Sequence, residues 1–351
     1  MLKILLLLLK MLKMSKKIAI IGGAGFIGHN LAIKLKESNF DVSIIDGLEV
    51  NNLTSVIGNY DNLPYPLLSK KIIENRLDLL SDKKIPLYVQ DARDYHALSH
   101  IITKIKPEII IHLAAVSHAV RSNKNPYSTF DHSLRTLENA LDASRDNIKH
   151  FIFLSSSMVY GNFKTSEVNE ESLCEPIGIY GALKYAAEKI IIAYNQVFNL
   201  PYTILRPSAL YGERCISRRV GQIFIENALF DKELLINGDG KEKLDFTYIE
   251  DLTDGIINII NNKNSINQIF NLTYGEGREI NEMIEILKKS FAKLKIKKVE
   301  RDDLMPYRGT LSMNKAKSLL NLKSNWELEK GYKRYIDWYI NFFQNNKNKL
   351  I

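Results

Sequence analysis

A glycine-rich turn between a predicted strand and a predicted helix constrains the fold of this chain more than any other feature. The apolar run at 18–21 leads directly into the sequence GGAGFIG at 22–28, and a helical pattern follows from about Asn30. Glycine suits such a turn because the chain turns tightly, its backbone approaches a pyrophosphate closely, and the helix packs against the strand. The free N–H groups at the helix N-terminus then face the phosphates. The turn therefore predicts a dinucleotide site on a Rossmann-type sheet.

The second predicted strand, at 42–46, ends in a carboxylate that fits the same site. Asp46 follows Gly28 by 18 residues. From that position it can accept the ribose hydroxyls of NAD and repel the extra phosphate of NADP. The alternative is an ordinary turn aspartate at the end of a strand. We expect Asp91 and Ala92, which follow the third predicted strand, to flank the adenine by analogous placement.

Short β-branched runs alternate with longer helical patterns along most of the chain. This alternation is typical of βαβ units and of a parallel sheet covered by helices on both faces. We therefore predict an α/β fold, a Rossmann-type doubly wound parallel sheet with a smaller C-terminal substrate-binding cap. An insertion before the third strand is predicted to hold a helix near 67–80. The predicted division is a leader or start-site extension at 1–14, an NAD-binding domain at 15–206 joined by 245–275, and a cap formed by 207–244 and 276–351.

The sequence YGALK at 180–184 places a phenol and an ammonium on one helical face. Tyr180 and Lys184 are four residues apart, so their side chains lie one turn from each other. A nearby ammonium favours the phenolate and lowers the pKa of a tyrosine from its usual value near 10. Such a tyrosine can remove a proton from a substrate hydroxyl. Because this spacing also arises by chance, the pentapeptide alone indicates little.

A serine turn supplies the second part of a reactive site. Three serines at 155–157 end the fifth predicted strand, at the carboxyl edge where α/β sheets bind ligands. A hydroxyl from this turn can hydrogen-bond the reacting oxygen. The alternative is a turn or cap built from serines. A dinucleotide turn, a serine turn and a Tyr-x-x-x-Lys helix in this order together favour an oxidoreductive site.

These motifs resemble those of the extended short-chain dehydrogenases/reductases, specifically the NAD-dependent nucleotide-sugar epimerase/dehydratase family. The similarity runs from Lys17 to the C-terminus and is more specific for the family than for a substrate. It rests on GGAGFIG at 22–28, DARD at 91–94, HLAA at 112–115, SSSMVYG at 155–161, YGALK at 180–184, LRPSALYGER at 205–214, INGDG at 236–240, DFTYIEDL at 245–252 and YRG at 307–309.

The resemblance implies NAD as the cofactor and assigns the catalytic roles. Tyr180 is the implied base, Lys184 its electrostatic partner, and Ser156 rather than Ser155 the catalytic hydroxyl. The implied cofactor-binding residues are Gly22, Gly25, Phe26, Ile27, Gly28, Asp46, Asp91, Ala92, Leu113, Ala114, Ala115, Tyr180, Lys184 and Pro207.

The resemblance also implies a nucleotide-diphosphate sugar as the substrate partner and a homodimer that pairs through the Tyr-x-x-x-Lys helix. Basic residues of the cap meet the diphosphate in this family, and this places Arg214 and Arg308 there, with Arg218 and Arg219 as further candidates. The implied substrate-binding residues are Ser117, Ser156, Arg214 and Arg308. His118 is either a proton-transfer residue or a pocket-wall histidine.

Departures from the family pattern narrow the reaction. Related 4,6-dehydratases carry an acidic pair directly after the catalytic hydroxyl, whereas this chain has Ser157 and Met158. Elimination of water needs such a pair, so the sequence favours an epimerase, although the residues at 117–122 resemble those of dehydratases. Leu244 replaces an arginine that contacts the diphosphate in relatives, and Ala209 replaces a common asparagine. The sugar pocket is therefore expected to differ from the usual one.

The predicted function is an NAD-dependent nucleotide-sugar epimerase, acting at C4 of a UDP-sugar through a transient 4-keto intermediate, in surface polysaccharide synthesis. One alternative is a nucleotide-sugar 4,6-dehydratase or a 4-reductase, which would release a keto or reduced sugar. A different class of alternative is a non-catalytic NAD-binding regulatory protein on the same fold. Retention of Ser156, Tyr180 and Lys184 favours an enzyme, since a sensor does not need all three.

Composition bounds the partners and the compartment. The net charge of +8 comes from lysines scattered along the 351 residues, without a basic stripe interleaved with aromatics. We therefore expect no nucleic-acid partner, and a polyanion-binding face is the alternative. Cys174 and Cys215 form no metal or disulfide pattern, which fits a metal-free protein of the reducing cytoplasm. The apolar run at 4–9 is too short to span a membrane, so we expect no stable membrane insertion, with a membrane-surface tail as the alternative.

Overall fold

The computed structural model describes residues 15–58, 63–116 and 119–350. Expectations for the leader at 1–14 and for Ser117 and His118 lie outside the described residues. The strands are β1 (Lys17–Ile21), β2 (Asp41–Asp46), β3 (Leu87–Val89), β4 (Ile109–His112), β5 (His150–Leu154), β6 (Glu167–Val168), β7 (Tyr202–Arg206), β8 (Leu210–Tyr211), β9 (Leu234–Asn237), β10 (Lys243–Asp245), β11 (Thr247–Tyr248), β12 (Gln268–Asn271), β13 (Gly277–Glu279), β14 (Ile296–Val299) and β15 (Thr310–Leu311).

The helices connect these strands and cover the sheet. They are α1 (Phe26–Glu37), α2 (Leu53–Gly58), α3 (Pro66–Asp82), α4 (Tyr95–Ile105), α5 (Ala119–Lys124), α6 (Pro126–Phe130), α7 (Thr136–Ser144), α8 (Gly178–Phe198), α9 (Val220–Leu229), α10 (Ile249–Asn261), α11 (Ile280–Lys288), α12 (Asn314–Leu320) and α13 (Leu328–Leu350). A π-helical turn at Asp131–Arg135 precedes α7, and 3₁₀ turns lie at Ser157–Tyr160 and Lys263–Ser265.

Seven parallel strands form the main sheet in the order β12-β7-β5-β4-β1-β2-β3. The chain therefore winds outward from β1 in one direction and returns to build the other half beyond β4. This doubly wound arrangement confirms the predicted Rossmann-type α/β fold. The point where the winding direction reverses, between β1 and β4, is where such sheets bind ligands.

Both faces of the sheet are buried because successive side chains of a strand point to opposite faces. Ile18 and Ile20 of β1 join a core that includes buried residues of α1, α3 and α10. Ala19 and Ile21 face the other way and join buried residues of α4, α7 and α8. The predicted all-apolar strands follow from this double coverage.

The first helix begins earlier than the sequence pattern indicated. It starts at Phe26, with Gly25 as its N-cap, rather than near Asn30. The apolar residues of the turn concealed the helix start, because Phe26 is buried against the core. Phe26, Ile27 and Gly28 therefore form the first helical turn, and its backbone N–H groups point toward the cleft side.

The C-terminal helix α13 anchors the remaining segments. Its buried residues Tyr332 and Tyr339 donate hydrogen bonds to the carbonyl oxygen of Gly221 at 3.0 Å and to Glu226 at 2.9 Å. The short pair β6–β15 joins residues 167–168 to residues 310–311. Segments far apart in the sequence are thus held against the carboxyl edge of the main sheet.

Candidate active site

Each glycine of the first turn is suited to its position for a different structural reason. Gly22 has φ +82°, and a Cβ atom there would lie 2.7 Å from the backbone nitrogen of Ala114. A Cβ atom on Gly28 would collide with the backbone of Gly23. Gly25 is different, because only the carbonyl oxygen of Gly22, at 3.4 Å, would lie near its added Cβ. Gly22 and Gly28 thus serve the packing of the chain, whereas Gly25 leaves its backbone open to a ligand.

A cleft of about 870 Å³ opens over this turn. All of the residues predicted to bind the cofactor between Gly22 and Ala115 line it. They are Gly22, Gly25, Phe26, Ile27, Gly28, Asp46, Asp91, Ala92, Leu113, Ala114 and Ala115. The helix N-terminus of α1 faces this space without a side-chain cap, so its free N–H groups and partial positive charge suit a pyrophosphate.

Asp46 ties the end of β2 to the glycine turn. One carboxylate oxygen accepts the N–H of Ala24 at 2.9 Å and the other accepts the N–H of Leu48 at 2.7 Å. Burial raises the pKa of Asp46, and these two backbone donors oppose the rise. A carboxylate oxygen has more than one lone pair, so Asp46 can hold the turn and still accept ribose hydroxyls.

A charged cluster beside Asp91 in the cleft was missed by sequence reasoning. Arg93 donates to Asp91 at 2.6 Å, to Asp131 at 2.9 Å and to Glu49 at 2.9 Å. His132 contacts Glu49 at 2.9 Å. Although burial opposes it, hydrogen bonding from Arg93 lowers the pKa of Asp91. The motif DARD at 91–94 contains one of these pairs, but Glu49 and the π-helical turn with Asp131 and His132 lie far from it in the sequence.

The three serines of the turn make different contacts. Ser155 donates to the buried carboxylate of Glu188. The Ser156 hydroxyl oxygen accepts the N–H of Met158 at 3.2 Å and caps the 3₁₀ turn. The N–H of Ser157 donates to the carbonyl oxygen of Pro207 at 2.9 Å, which brings the predicted nicotinamide wall beside the turn.

Tyr180 and Lys184 lie in the first two turns of α8. Burial raises the pKa of Tyr180, and the charge of Arg219 and a hydrogen bond with Ser156 oppose the rise. The ammonium of Lys184 donates to the carbonyl oxygen of Leu154 at 2.6 Å. Burial lowers the pKa of Lys184 to about 7. The structure thus brings Ser156 and Tyr180 together, with Lys184 anchored at the end of β5.

Arg219 lies near Tyr180, and Arg308 lies near Arg219. Arg219, the N-cap of α9, lines the cleft, and its charge acts on both Tyr180 and Arg308. The segment that carries Arg308 is docked on the loop after the serine turn, since the N–H of Phe163 donates to the carbonyl oxygen of Tyr307 at 2.8 Å.

The guanidinium groups of Arg219 and Arg308 are suited to an anion. Burial lowers the pKa of Arg308 to about 10, and Glu242 raises it while Arg219 lowers it further. The Nε atoms of both arginines are buried and have no hydrogen-bond partner within residues 15–58, 63–116 and 119–350. Such donors are expected to find an acceptor, and a diphosphate supplies several.

The structure does not bring Arg214 to this cleft. Its Nε donates to Asn75 at 2.8 Å, and its guanidinium lies 5.4 Å from the ring centre of Trp338. It borders a second cavity that also contains Glu213 and Arg334. Arg218, a further candidate, is engaged by the buried carboxylate of Glu226 at 2.6 Å.

The departures noted in the sequence are visible in the structure. Ser157 is buried and Met158 half-buried beside Ser156, so no acidic pair follows the serine. Leu244 is buried in β10, and Ala209 has φ +35° in the loop after β7. In the described part of the chain, no group of three or more His, Cys, Asp or Glu side chains is placed to hold a metal ion. Among the same residues, no helix is long and apolar enough to cross a membrane.

Comparisons with known proteins identify the family of this chain. The model of the NAD dependent epimerase/dehydratase family matches residues 18–273. A Methanocaldococcus jannaschii protein whose name proposes a UDP-glucose 4-epimerase is 32% identical over 331 residues, which cover 92% of this chain and 98% of that protein. The dTDP-D-glucose 4,6-dehydratase of Dictyostelium discoideum is 29% identical over 275 residues, or 73% of this chain and 58% of that one.

Solved structures show the same fold. The UDP-glucuronic acid 4-epimerase of Bacillus cereus, in complex with UDP-glucuronic acid and NAD, superposes with a TM-score of 0.81 at 26% identity. The match covers 93% of this chain and 99% of that one. The cofactor of this chain is therefore NAD. The chain belongs to the NAD-dependent epimerase/dehydratase family.

Proposed function

We propose that the protein is a nucleotide-sugar 4-epimerase that inverts C4 of a UDP-sugar through a transient 4-keto intermediate. The observation that carries the proposal is the serine turn, where Ser156 meets Tyr180 and the next two residues are Ser157 and Met158. This arrangement can remove and return a hydroxyl proton. It has no acid–base pair for eliminating water.

The residues that line the cleft are suited to holding NAD. Gly25 leaves the backbone open at the N-terminus of α1, and Asp46 lies at the ribose position. Asp91 and Ala92 line the adenosine end, and Leu113, Ala114 and Ala115 line the wall beside the turn. NAD, when bound in this cleft, supplies a reversible hydride acceptor.

Proton transfer is assigned to Tyr180. Its phenolate takes the proton of the sugar 4-hydroxyl and later gives it back. Ser156 hydrogen-bonds the same oxygen and holds it beside the phenol. Lys184 favours the phenolate through its positive charge and also holds the nicotinamide ribose. Pro207, beside the serine turn, forms the wall of the nicotinamide site.

Substrate binding is assigned to the two segments 207–244 and 276–351, which we propose form the cap over the domain at 15–206 and 245–275. Arg219 and Arg308 hold the diphosphate with their unpartnered donors, since guanidinium groups match phosphate oxygens well. Arg219 replaces Arg214 in this role. The loss of an arginine at Leu244 is thereby offset from a different part of the cap.

We further propose that the protein is a homodimer that pairs through α8 and its neighbours. Val197 at the end of α8 is exposed, and so are Tyr127 and Phe130 on α6, which packs beside α8. Exposed large apolar side chains on neighbouring helices are the basis for proposing an association surface here.

The test is mass spectrometry of the nucleotide bound to the purified protein, followed by NMR of reactions with a panel of UDP-, GDP-, CDP- and dTDP-sugars. A stereoisomer of equal mass, formed without added cofactor, is the expected result. A product lighter by one water would establish the dehydratase alternative instead. Bound NAD without turnover on any sugar would favour the regulatory alternative.

A further inference from the structure

A buried carboxylate lies directly behind the proposed catalytic residues. Glu188 follows Lys184 by one turn of α8, so the two side chains share a helical face. Lys184 donates to the carbonyl oxygen of Leu154, and Glu188 accepts the hydroxyl of the next residue, Ser155. Two consecutive turns of α8 therefore hold the end of β5 immediately before Ser156.

The same carboxylate also fixes the end of β7. Arg206 donates to one oxygen of Glu188 at 3.0 Å and to the other at 2.7 Å, and both side chains are at most 3% exposed. Arg206 also donates to the hydroxyl of Tyr160 at 3.0 Å, which donates to Asn271 at 2.8 Å. Because Pro207 follows Arg206, this network connects Glu188 to the wall of the nicotinamide site.

The charged and titratable groups around Lys184 come from four elements. They are Tyr180 and Glu188 on α8, His112 on β4, Arg206 on β7 behind Glu188, and Arg219 of the cap beside Tyr180. Burial lowers the pKa of His112 to about 3, so its ring is neutral at physiological pH. The ammonium also lies over the ring of Phe153, whose centre is 4.6 Å away.

We infer that Glu188 is a positioning residue: from the turn of α8 that follows Lys184 it fixes Ser155, and with it the turn carrying Ser156, and its negative charge favours the charged form of the buried Lys184. The inference rests on the proposed roles of Ser156, Tyr180 and Lys184. Burial lowers the pKa of Lys184, and Glu188 is the group that raises it. Without the negative charge of Glu188, the buried guanidinium of Arg206 would also lose its ion-pair partner.

The first experiment measures the protonation of Lys184 without using turnover. Protein labelled with ¹³C at the lysine ε-carbon is purified with its bound nucleotide and titrated by NMR, and the Lys184 signal is assigned with Lys184→Arg. In Glu188→Gln we expect the pKa of Lys184 to fall by about one unit or more, as expected for loss of a close opposite charge. The matched control is Glu226→Gln, which removes an equally buried carboxylate from the Arg218 pair in the cap. It should leave the pKa of Lys184 unchanged.

Breaking a buried ion pair can unfold a protein, so a second variant removes both charges. Glu188→Gln/Arg206→Gln leaves no uncompensated guanidinium and is expected to fold, because removal of a whole pair is milder than removal of one partner. The pKa of Lys184 should remain below the wild-type value in this variant. An unchanged pKa in Glu188→Gln, or its return to the wild-type value in the double variant, would overturn the inference.

A pH profile separates positioning from general damage. The alkaline limb of the epimerisation rate should move to lower pH in Glu188→Gln by the shift that NMR records, and should not move in Glu226→Gln. Turnover lost equally at every pH would indicate a structural effect and contradict the inference. If the wild-type protein epimerises no sugar, the proposed function fails, while the NMR titration still decides the role of Glu188.

Discussion

A Cβ atom on Gly28 would lie 2.4 Å from the Cα atom of Gly23. The first helix therefore touches the turn that precedes it, backbone against backbone. Gly28→Ala is expected to destabilise the protein by about 1–3 kcal/mol, the usual range for overpacking, and to reduce the bound NAD. Thermal unfolding and the ratio of NAD to protein check this. Gly58→Ala is the control, since a Cβ there would meet nothing within 4 Å, and equal damage in both variants would contradict the explanation.

Asp46 is expected to determine the choice of cofactor. Asp46→Asn removes the negative charge that accepts ribose hydroxyls and repels a 2′-phosphate. We expect NAD to bind about 10- to 100-fold more weakly, the range for hydrogen bonds to a charged group, while NADP binding is unchanged or stronger. Fluorescence titration with both dinucleotides measures the ratio. Asp254→Asn removes an exposed carboxylate that pairs with Lys34 and should not change it. A constant ratio in Asp46→Asn would rule out the assignment.

Tyr180 should matter for turnover and not for cofactor retention. Tyr180→Phe keeps the ring and removes the proton acceptor, so kcat should fall by about 10²- to 10⁴-fold while NAD stays bound. Tyr185→Phe, on the next part of the same helix, is the matched control and should retain activity. Initial rates on the sugar identified by NMR, with NAD content by absorbance, give both quantities. Activity within a few-fold of wild type in Tyr180→Phe would exclude it as the base.

Substitution of Arg219 and of Arg214 distinguishes two models of diphosphate binding, one through each arginine. Arg219→Gln removes a donor that is unpartnered in the described chain, and should weaken UDP binding by about 10- to 100-fold, as for a charged hydrogen bond. Arg214→Gln removes the same charge from a side chain held by Asn75 and should change the affinity less than about threefold, a small fraction of such a bond. Isothermal titration with UDP gives both values. A larger loss in Arg214→Gln than in Arg219→Gln would restore the expectation from the sequence.

Lys184 should make stability depend on pH in a defined window. Burial lowers its pKa from 10.5 to about 7, so between these values the unfolded chain binds a proton that the folded protein lacks. The contribution of Lys184 to the free energy of unfolding therefore rises with pH from about 7 to 10.5, and is lost as pH falls to about 7. In Lys184→Met this slope should decrease, by at most about 1.4 kcal/mol per pH unit.

Urea unfolding of NAD-free protein at a series of pH values measures that slope. Lys189→Met is the control, because Lys189 lies on the exposed face of the same helix. If the free energy of unfolding depends on pH in the same way in wild type and Lys184→Met, then Lys184 has the same pKa in the folded and unfolded states. That outcome would contradict the prediction.

Local patterns predicted the fold because each element of the sheet carries its own signal. The apolar run of β1 and the glycines after it are contiguous in the sequence. The helix start was less visible, since Phe26 and Ile27 look like turn residues until the core that buries Phe26 is known. Backbone contacts such as that between Gly22 and Ala114 join the first strand to the fourth, and no spacing in the sequence encodes them.

The candidate site was predictable where one motif carries the chemistry and not where distant partners decide it. Tyr180 and Lys184 are placed by one helix. The arginines at 214, 218 and 219 look alike in the sequence. They differ because Asn75 holds the first and Glu226 holds the second, and both partners come from other elements. Glu188 was passed over because its role depends on Ser155 and Arg206 in neighbouring strands.

The pairing of β6 with β15 also bears on the order in which parts of the protein fold during synthesis. The ribosome releases residues 167–168 well before residues 310–311, with which they pair. Long-range pairs of this kind form late, because distant segments must first be brought together. Helix α13 follows these residues in the sequence and supplies the tyrosines that donate hydrogen bonds to Gly221 and Glu226. A nascent chain therefore contains the glycine turn before it contains the segments proposed to bind the sugar.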